Sequence, residues 1–355
     1  MNKFLLLLAF AVAFIITFIT TPFVKRIALK VGIVDKPDNE RRVHKKAVPL
    51  LGGLAMFYGF IISVILFGTL DTNIRGIVLG ALVILVVGII DDAQELSAKA
   101  KLPFQILAAI ILILHNVRID VVSVPTFISA SGVLHLGFWG IPLTMIWIVG
   151  VTNAVNLIDG LDGLAAGVSS IACMSLFCIA LIVGEFEVAL LTAALTGCCF
   201  GFLPYNFNPA KIFMGDTGST FLGFILGSVS IMGLFKSYAV ISVAVPFLVL
   251  GLPLFDTGFA IFRRVKAGKP IMSPDREHLH HRVLDLGFSQ KKTVGIIYLM
   301  CTVLGLCAVL LVSNGVLQAL LLIIGVILAV LIASRVIGFK NEAPKEESED
   351  TSVND

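Results

Sequence analysis

Charge is what this chain has least of. Asp, Glu, Lys and Arg make up 14% of its 355 residues, where soluble domains carry about 25%. With 58% of the residues apolar, a water-soluble globule is excluded. Ten-residue segments of alternating polarity are also missing, which excludes a transmembrane β-barrel. The six cysteines (Cys173, Cys178, Cys198, Cys199, Cys301, Cys307) lack metal spacing and all lie in apolar runs, so they read as small core residues. No Ala-x-Ala site follows the first apolar run, and Lys25-Arg26 closes it. That run is therefore expected to be a retained span and not a cleaved leader. No internal repeat is evident, although an inverted-repeat transporter would carry one.

What is present is a series of apolar runs, each about 20 residues long and so able to cross a bilayer as a helix. They fall at about 4–24, 50–68, 74–90, 103–116, 139–155, 164–184, 188–204, 217–235, 238–262, 293–313 and 316–336. The expected fold is all-α: a polytopic membrane protein with about eleven transmembrane helices, built as one integral-membrane domain over 1–340. Two short β-runs around a Ser/Gly turn predict a small hairpin at 118–137. The stretch 341–355 carries six acids and no aromatic residue, and is expected to be a disordered tail. Pro246 and Pro253 in the ninth run predict a bent helix that could open a groove to lipid.

The few charges are unevenly placed. Of the 26 Lys and Arg residues, 22 lie in 25–49, 91–102, 156–163, 205–216, 263–292 and the stretch from Arg335 onward. By the positive-inside rule these segments are cytoplasmic, with the N-terminus outside and the C-terminus inside the plasma membrane. Asp91, Asp92, Glu95, Asp159, Asp162 and Asp216 fall on that same side, at or just beyond span ends. Asp256 alone sits within a span. A transport path would place its ionisable groups near the midplane, so the acids describe a site facing the cytoplasm.

Four motifs carry chemistry. Gly88-Ile-Ile-Asp91-Asp92-Ala-Gln-Glu95 ends the third run with adjacent carboxylates, whose repulsion a divalent cation would relieve. Asn153-Ala-Val-Asn156-Leu-Ile-Asp159-Gly-Leu-Asp162-Gly joins the fifth and sixth runs, and on a helical turn Asp159 and Asp162 would share a face. Phe213-Met-Gly215-Asp216-Thr-Gly218-Ser219 precedes the eighth run. Its free helix-terminal amides suit phosphate, and Asp216 reads either as an N-cap or as a group facing phosphates through a metal. Arg276-Glu277-His278-Leu279-His280-His281-Arg282 is basic and rich in hydrogen-bond donors, and lacks the His-Glu-x-x-His zinc order. It suits a diphosphate better than zinc.

Together with Pro49-Leu-Leu-Gly52-Gly53, and in this order, these motifs resemble the polyprenyl-phosphate N-acetylhexosamine-1-phosphate transferases, glycosyltransferase family 4. Within that family the chain looks most like the bacterial undecaprenyl-phosphate GlcNAc-1-phosphate transferases, because the peptidoglycan translocase typically has three consecutive histidines where this chain has His278-Leu279-His280-His281. The resemblance spans about 45–282. It implies a membrane enzyme that moves GlcNAc-1-phosphate from UDP-GlcNAc to undecaprenyl phosphate, releases UMP, and so starts an envelope polymer such as teichoic acid or O-antigen. Mg²⁺ is the implied cofactor, with Mn²⁺ able to stand in. UDP-GlcNAc, undecaprenyl phosphate and membrane lipid are the implied partners; a homodimer is allowed and nucleic acid is not expected.

By resemblance, Asp216 is the metal ligand. Asp91, Asp92 and Asp159 are catalytic, the first two near the lipid phosphate. Lys46, Asn156, Gly160, Leu161, Asp162 and Phe213 contact the nucleotide donor, as do Arg276, His278, His280 and His281. A carboxylate near the lipid phosphate could keep it deprotonated or attack the diphosphate itself. One departure is Glu95, which stands where the family's first motif often has Asp. The competing readings are a phospho-MurNAc-pentapeptide transferase and, from another class, an ion-coupled transporter.

Overall fold

The computed structural model describes residues 3–35, 47–123, 129, 131–233, 241–270, 278–313, 317, 318, 320 and 322–324. Twelve α-helices and two short β-pairs form among these residues. In chain order the helices are α1 (Lys3–Val31), α2 (Gly52–Phe67), α3 (Thr72–Gln94), α4 (Ala98–Leu114), α5 (Gly140–Leu157), α6 (Leu164–Val183), α7 (Phe186–Asn206) and α8 (Gly215–Gly233). They continue with α9 (Ile241–Val249), α10 (Gly251–Lys266), α11 (Leu279–Asp285) and α12 (Gln290–Val312). Six of the described helices are long and apolar enough to cross a bilayer. The all-α polytopic reading holds. The first eight expected spans coincide with α1–α8, the tenth is α12, and the eleventh falls mostly outside the described residues.

The ninth span is two helices, α9 and α10, broken at Leu250. Pro253 has no N–H to offer the carbonyl four residues back, so the helical ladder loses a bond at this point. The predicted bend is thus a local interruption, with Leu250 N still bonded to Pro246 O at 2.9 Å and Leu254 N to Leu250 O at 3.1 Å. The expected hairpin forms as β3 (Val121–Ser123) and β4 (Val133–His135), paired antiparallel with Val121 opposite His135. A second pair, β1 (Val34–Asp35) with β2 (Val48–Pro49), had no clear sequence signal. It matters because Phe213 donates its N–H to Pro49 O at 2.9 Å, while Phe213 O and Met214 O accept from Gly52 and Gly53. The chain leading into α8 is thereby tied to β2 and to the start of α2.

α8 is the axis of the bundle. Every residue from Thr217 to Gly233 is buried, as a helix enclosed on all sides must be. α3 and α5 pack along it, with α2, α6 and α7 completing the surround. Small residues allow the close approach, because helices associating in lipid gain from backbone-to-backbone packing. A methyl group on Gly53 would collide with the Gly218 backbone, and one on Gly88 would lie 2.5 Å from Thr217 Cα. The hydrophobic core is continuous from Leu6 to Ala308.

This packing makes a prediction. Gly88→Val places branched carbon against backbone that cannot yield, and overpacking of this kind costs about 1–3 kcal/mol. Its thermal unfolding midpoint in detergent is expected to fall, whereas Gly150→Ala, with nothing within 4 Å of the added carbon, leaves it unchanged. Equal midpoints would contradict the α3–α8 contact.

Candidate active site

One end of the bundle opens into a cavity of about 1230 Å³. The ends of α1, α3, α5 and α7, the starts of α4, α8 and α12, the α5–α6 turn and α11 meet around it. Of the residues singled out from sequence, Asp91, Asp92, Asn156, Asp159, Gly160, Leu161, Asp162, Phe213, Asp216 and His281 all line this cavity. His278 and His280 are buried behind its wall. Lys46 and Arg276 lie outside the described residues.

The adjacent acids of α3 have different surroundings. Asp91 Oδ1 accepts from Leu96 N at 2.6 Å, and its Oδ2 lies 2.7 Å from Lys101 Nζ. Lys101, on the first turns of α4, reaches across to Asp216 Oδ2 at 2.5 Å. One ammonium thus joins carboxylates from α3 and α8, and the trio is partly shielded, with Lys101 19% exposed and Asp91 7%. Asp92 turns the other way. Its Oδ1 accepts from Asp216 N at 2.7 Å, and its Oδ2 accepts from Thr217 Oγ1 at 2.6 Å and Thr217 N at 3.3 Å. A carboxylate from α3 therefore caps the N-terminus of α8 and meets its positive dipole end.

Two sequence expectations are corrected by this arrangement. Asp216 is not the cap of α8, since it lies inside the first turn and Asp92 supplies the cap. The first amides of α8 do not stand free for phosphate, because Asp92 occupies two of them. Lys101 itself was missed, having counted only as one positive charge among many at a span end.

The connection between α5 and α6 is a tight turn and not a continued helix, so Asp159 and Asp162 do not share a helical face. Gly163 sits at φ 78°, a left-handed conformation that glycine adopts without strain. Its N–H donates to Asn206 Oδ1 at 3.1 Å and its carbonyl accepts from Tyr298 OH at 2.5 Å. Asp162 Oδ2 accepts from Asn208 Nδ2 at 2.9 Å and from Ala210 N at 3.0 Å, which commits it to holding the 206–210 loop against the cavity. Asp159 faces inward. Burial pushes its carboxyl up to about 8, helped by Asp216, Asp92 and Asp162. Asn156 donates to Ser219 Oγ at 2.8 Å and so ties the end of α5 to α8.

The histidine motif is anchored by Asp256, whose role was open in the sequence. Its Oδ2 lies 2.8 Å from His278 Nδ1, and its Oδ1 accepts from Leu279 N at 2.8 Å. The one acid that the transporter reading placed within a span is thus directed to the histidine motif.

The implied metal fits this donor set in one form only. Among the described residues no three His, Cys, Asp or Glu side chains form a closed metal cage. The acids converge with Lys101 bridging two of them, and Asp159 is left in surplus negative potential. That chemistry suits a hard cation held by one or two carboxylates and completed by phosphate oxygens, the usual manner of Mg²⁺.

Residues 74–234, which include the acids of α3, the α5–α6 turn and α8, match glycosyl transferase family 4. The chain is 43% identical to the probable undecaprenyl-phosphate N-acetylglucosaminyl 1-phosphate transferase of Bacillus subtilis, over 95% of this chain and 93% of that protein. It is 37% identical to the decaprenyl-phosphate N-acetylglucosaminephosphotransferase of Mycolicibacterium smegmatis, over 81% and 77% of the two chains. With the undecaprenyl-phosphate alpha-N-acetylglucosaminyl 1-phosphate transferase of Escherichia coli K12 it shares 29% identity, over 84% and 81%. A likeness that runs nearly end to end at 43% identity, with the family match lying on the helices that build the cavity, leaves one conclusion: the chain belongs to glycosyl transferase family 4.

Proposed function

We propose that this membrane protein transfers GlcNAc-1-phosphate from a nucleotide donor to a polyprenyl phosphate. The observation that carries the reading is the placement of Lys101 between Asp91 and Asp216 in the wall of a cavity large enough for a nucleotide-sugar. The donor is UDP-GlcNAc, the acceptor is undecaprenyl phosphate, and the product begins an envelope glycopolymer such as teichoic acid or O-antigen. The Lys and Arg distribution supports a cytoplasmic cavity.

An apolar groove of about 350 Å³ runs beside the broken ninth span, lined by Leu252, Phe255 and Phe259 of α10 and by Met300 and Leu304 of α12. It suits the acceptor's chain, which must stay in hydrocarbon while its phosphate reaches the acids. The chemistry needs two negatively charged phosphates brought together, so alignment and charge neutralisation dominate. Lys101 draws the acceptor phosphate. Asp91, whose Oδ2 faces Lys101 while Asp92 is spent on α8, orients that phosphate and keeps it deprotonated. An acceptor oxygen then attacks the sugar-bearing phosphorus of the donor. One P–O bond forms, the P–O bond to UMP breaks, and UMP leaves with the electron pair. Asp216, with Asp159 beside it, would hold Mg²⁺, which when bound supplies positive charge to the diphosphate and the leaving UMP. The turn Gly160-Leu161-Asp162 and Phe213 frame the nucleoside. His281, which lines the cavity, would face the sugar of the donor, and a site that closes on a small sugar would exclude a bulky peptide by clash.

The direct test is UMP release by the purified protein with undecaprenyl phosphate and Mg²⁺. UDP-GlcNAc is expected to be used and UDP-MurNAc-pentapeptide is not. In sealed membranes only inside-out vesicles should consume added UDP-GlcNAc. Efficient use of the pentapeptide donor would make this a peptidoglycan enzyme, and consumption only by right-side-out vesicles would reverse the orientation.

A second prediction separates Lys101 from Asp216. Lys101→Gln leaves Asp91 and Asp216 facing each other without a cation, so it should lower both turnover and the unfolding midpoint in EDTA, with Mg²⁺ restoring part of the midpoint. Asp216→Asn should abolish turnover with a smaller loss of stability, since Lys101 keeps Asp91 as its partner. Near-normal turnover in Asp216→Asn would remove it from the metal site.

A further inference from the structure

The histidine motif is held from outside the cavity. Asp256 lies on α10 and is shielded along with its partner, their side chains being 8% and 6% exposed. Its two oxygens are both used on the start of α11: one on His278 Nδ1, the other on the Leu279 amide. Because a carboxylate accepts, Nδ1 of His278 carries the proton, which fixes the tautomer and the ring plane. The His278 ring is parallel to that of His280, with centroids 5.9 Å apart and planes 5° from each other. The His280 ring in turn lies 4.3 Å from that of His281. His280 is 3% exposed, its Nδ1 makes no hydrogen bond among the described residues, and its Nε2 sits against the Gly160 α-carbon. Burial keeps this ring neutral, its pKa held down to about 4, with His281 and His278 adding to the effect. His281 lines the cavity beside Gly160 and Asp159.

A continuous set of contacts therefore runs from Asp256 through His278 and His280 to Gly160 on the α5–α6 turn that carries Asp159, with the His281 ring tilted against that of His280. Asp256 also lines the apolar groove, with Phe255 and Phe259 on either side of it in sequence. It does not line the cavity, and none of its hydrogen bonds goes to the acid cluster or to Lys101.

We propose that Asp256 is a positioning residue for the transfer reaction: acting through His278, it seats His280 against Gly160 and so sets the place of His281 and of the turn bearing Asp159. The inference rests on the transferase reading given above. A mere helix cap would be served by an amide, since an Asn oxygen accepts from the Leu279 N–H as well as a carboxylate does. The imidazole would not be served, because the amide cannot both accept from Nδ1–H in the same place and carry the charge that holds it. The two roles therefore separate in one substitution.

The test uses the full-length protein in detergent with UDP-GlcNAc, undecaprenyl phosphate and Mg²⁺. Asp256→Asn is expected to keep its unfolding midpoint and its affinity for UMP, while turnover falls on the order of 10–100-fold, the range found when the orienting partner of a ligating histidine is removed. His278→Ala should lose a similar factor, and the double variant should lose no more than either alone, as residues acting in series do. Turnover within about twofold of wild type in Asp256→Asn, or losses that multiply in the double variant, would overturn the proposal. Should Asp256→Asn fail to fold, His278→Ala decides: full activity there removes the proposed intermediary. A wild-type protein that releases no UMP would instead count against the transferase reading, which the variants do not address.

Discussion

The ammonium of Lys101 between Asp91 and Asp216 is the contact on which the rest of this end of the molecule depends. Carboxylates gathered among apolar helix ends repel one another and lose hydration, so each must be paired, hydrogen-bonded or protonated. Lys101 pairs two of them. Asp92 is satisfied by backbone amides and a hydroxyl of α8, and Asp162 by the 206–210 loop. Asp159 has no such support among the described residues and is pushed toward its neutral form. An acid cluster short of positive charge is poorly suited to phosphates on its own. It becomes suited to them when a divalent cation is shared between the acids and the substrate oxygens.

The same device is used twice to place these groups. In each case a carboxylate on one helix caps the start of another and thereby aims a functional segment. Asp92 of α3 holds the start of α8, which carries Asp216. Asp256 of α10 holds the start of α11, which carries the histidines. A cap supplied from another helix fixes two elements relative to each other, where a local cap would fix only one. α8 can serve as the reference because its buried surface is pinned by glycine contacts to α2 and α3.

Much of this was legible in the sequence because hydrocarbon imposes length. Apolar runs had to be helices, and their ends had to alternate between two faces, so Asp91, Asp159 and Asp216 could be expected together before any contact was known. The prolines of the ninth run marked its break for a local reason. What could not be read was partnership across the fold. Lys101 is one cation among 26 Lys and Arg residues, and nothing in its neighbourhood shows that it will reach α8. Asp92 and Asp91 are indistinguishable in sequence, and only the packing of α3 on α8 turns one to the helix end and the other to the lysine. The Asp256 pairing spans 22 positions, and the β1–β2 pair is too short to leave a periodic signal.

The central claim is that the acids, a divalent cation and a phosphate complete one another, and calorimetric titration of Mg²⁺ into the purified protein, with and without saturating UMP, tests it most directly. A site of one or two carboxylates should bind Mg²⁺ weakly alone and at least about tenfold more tightly once a phosphate is present, a coupling of about 1.4 kcal/mol. Mg²⁺ affinity that is the same with and without UMP would contradict it.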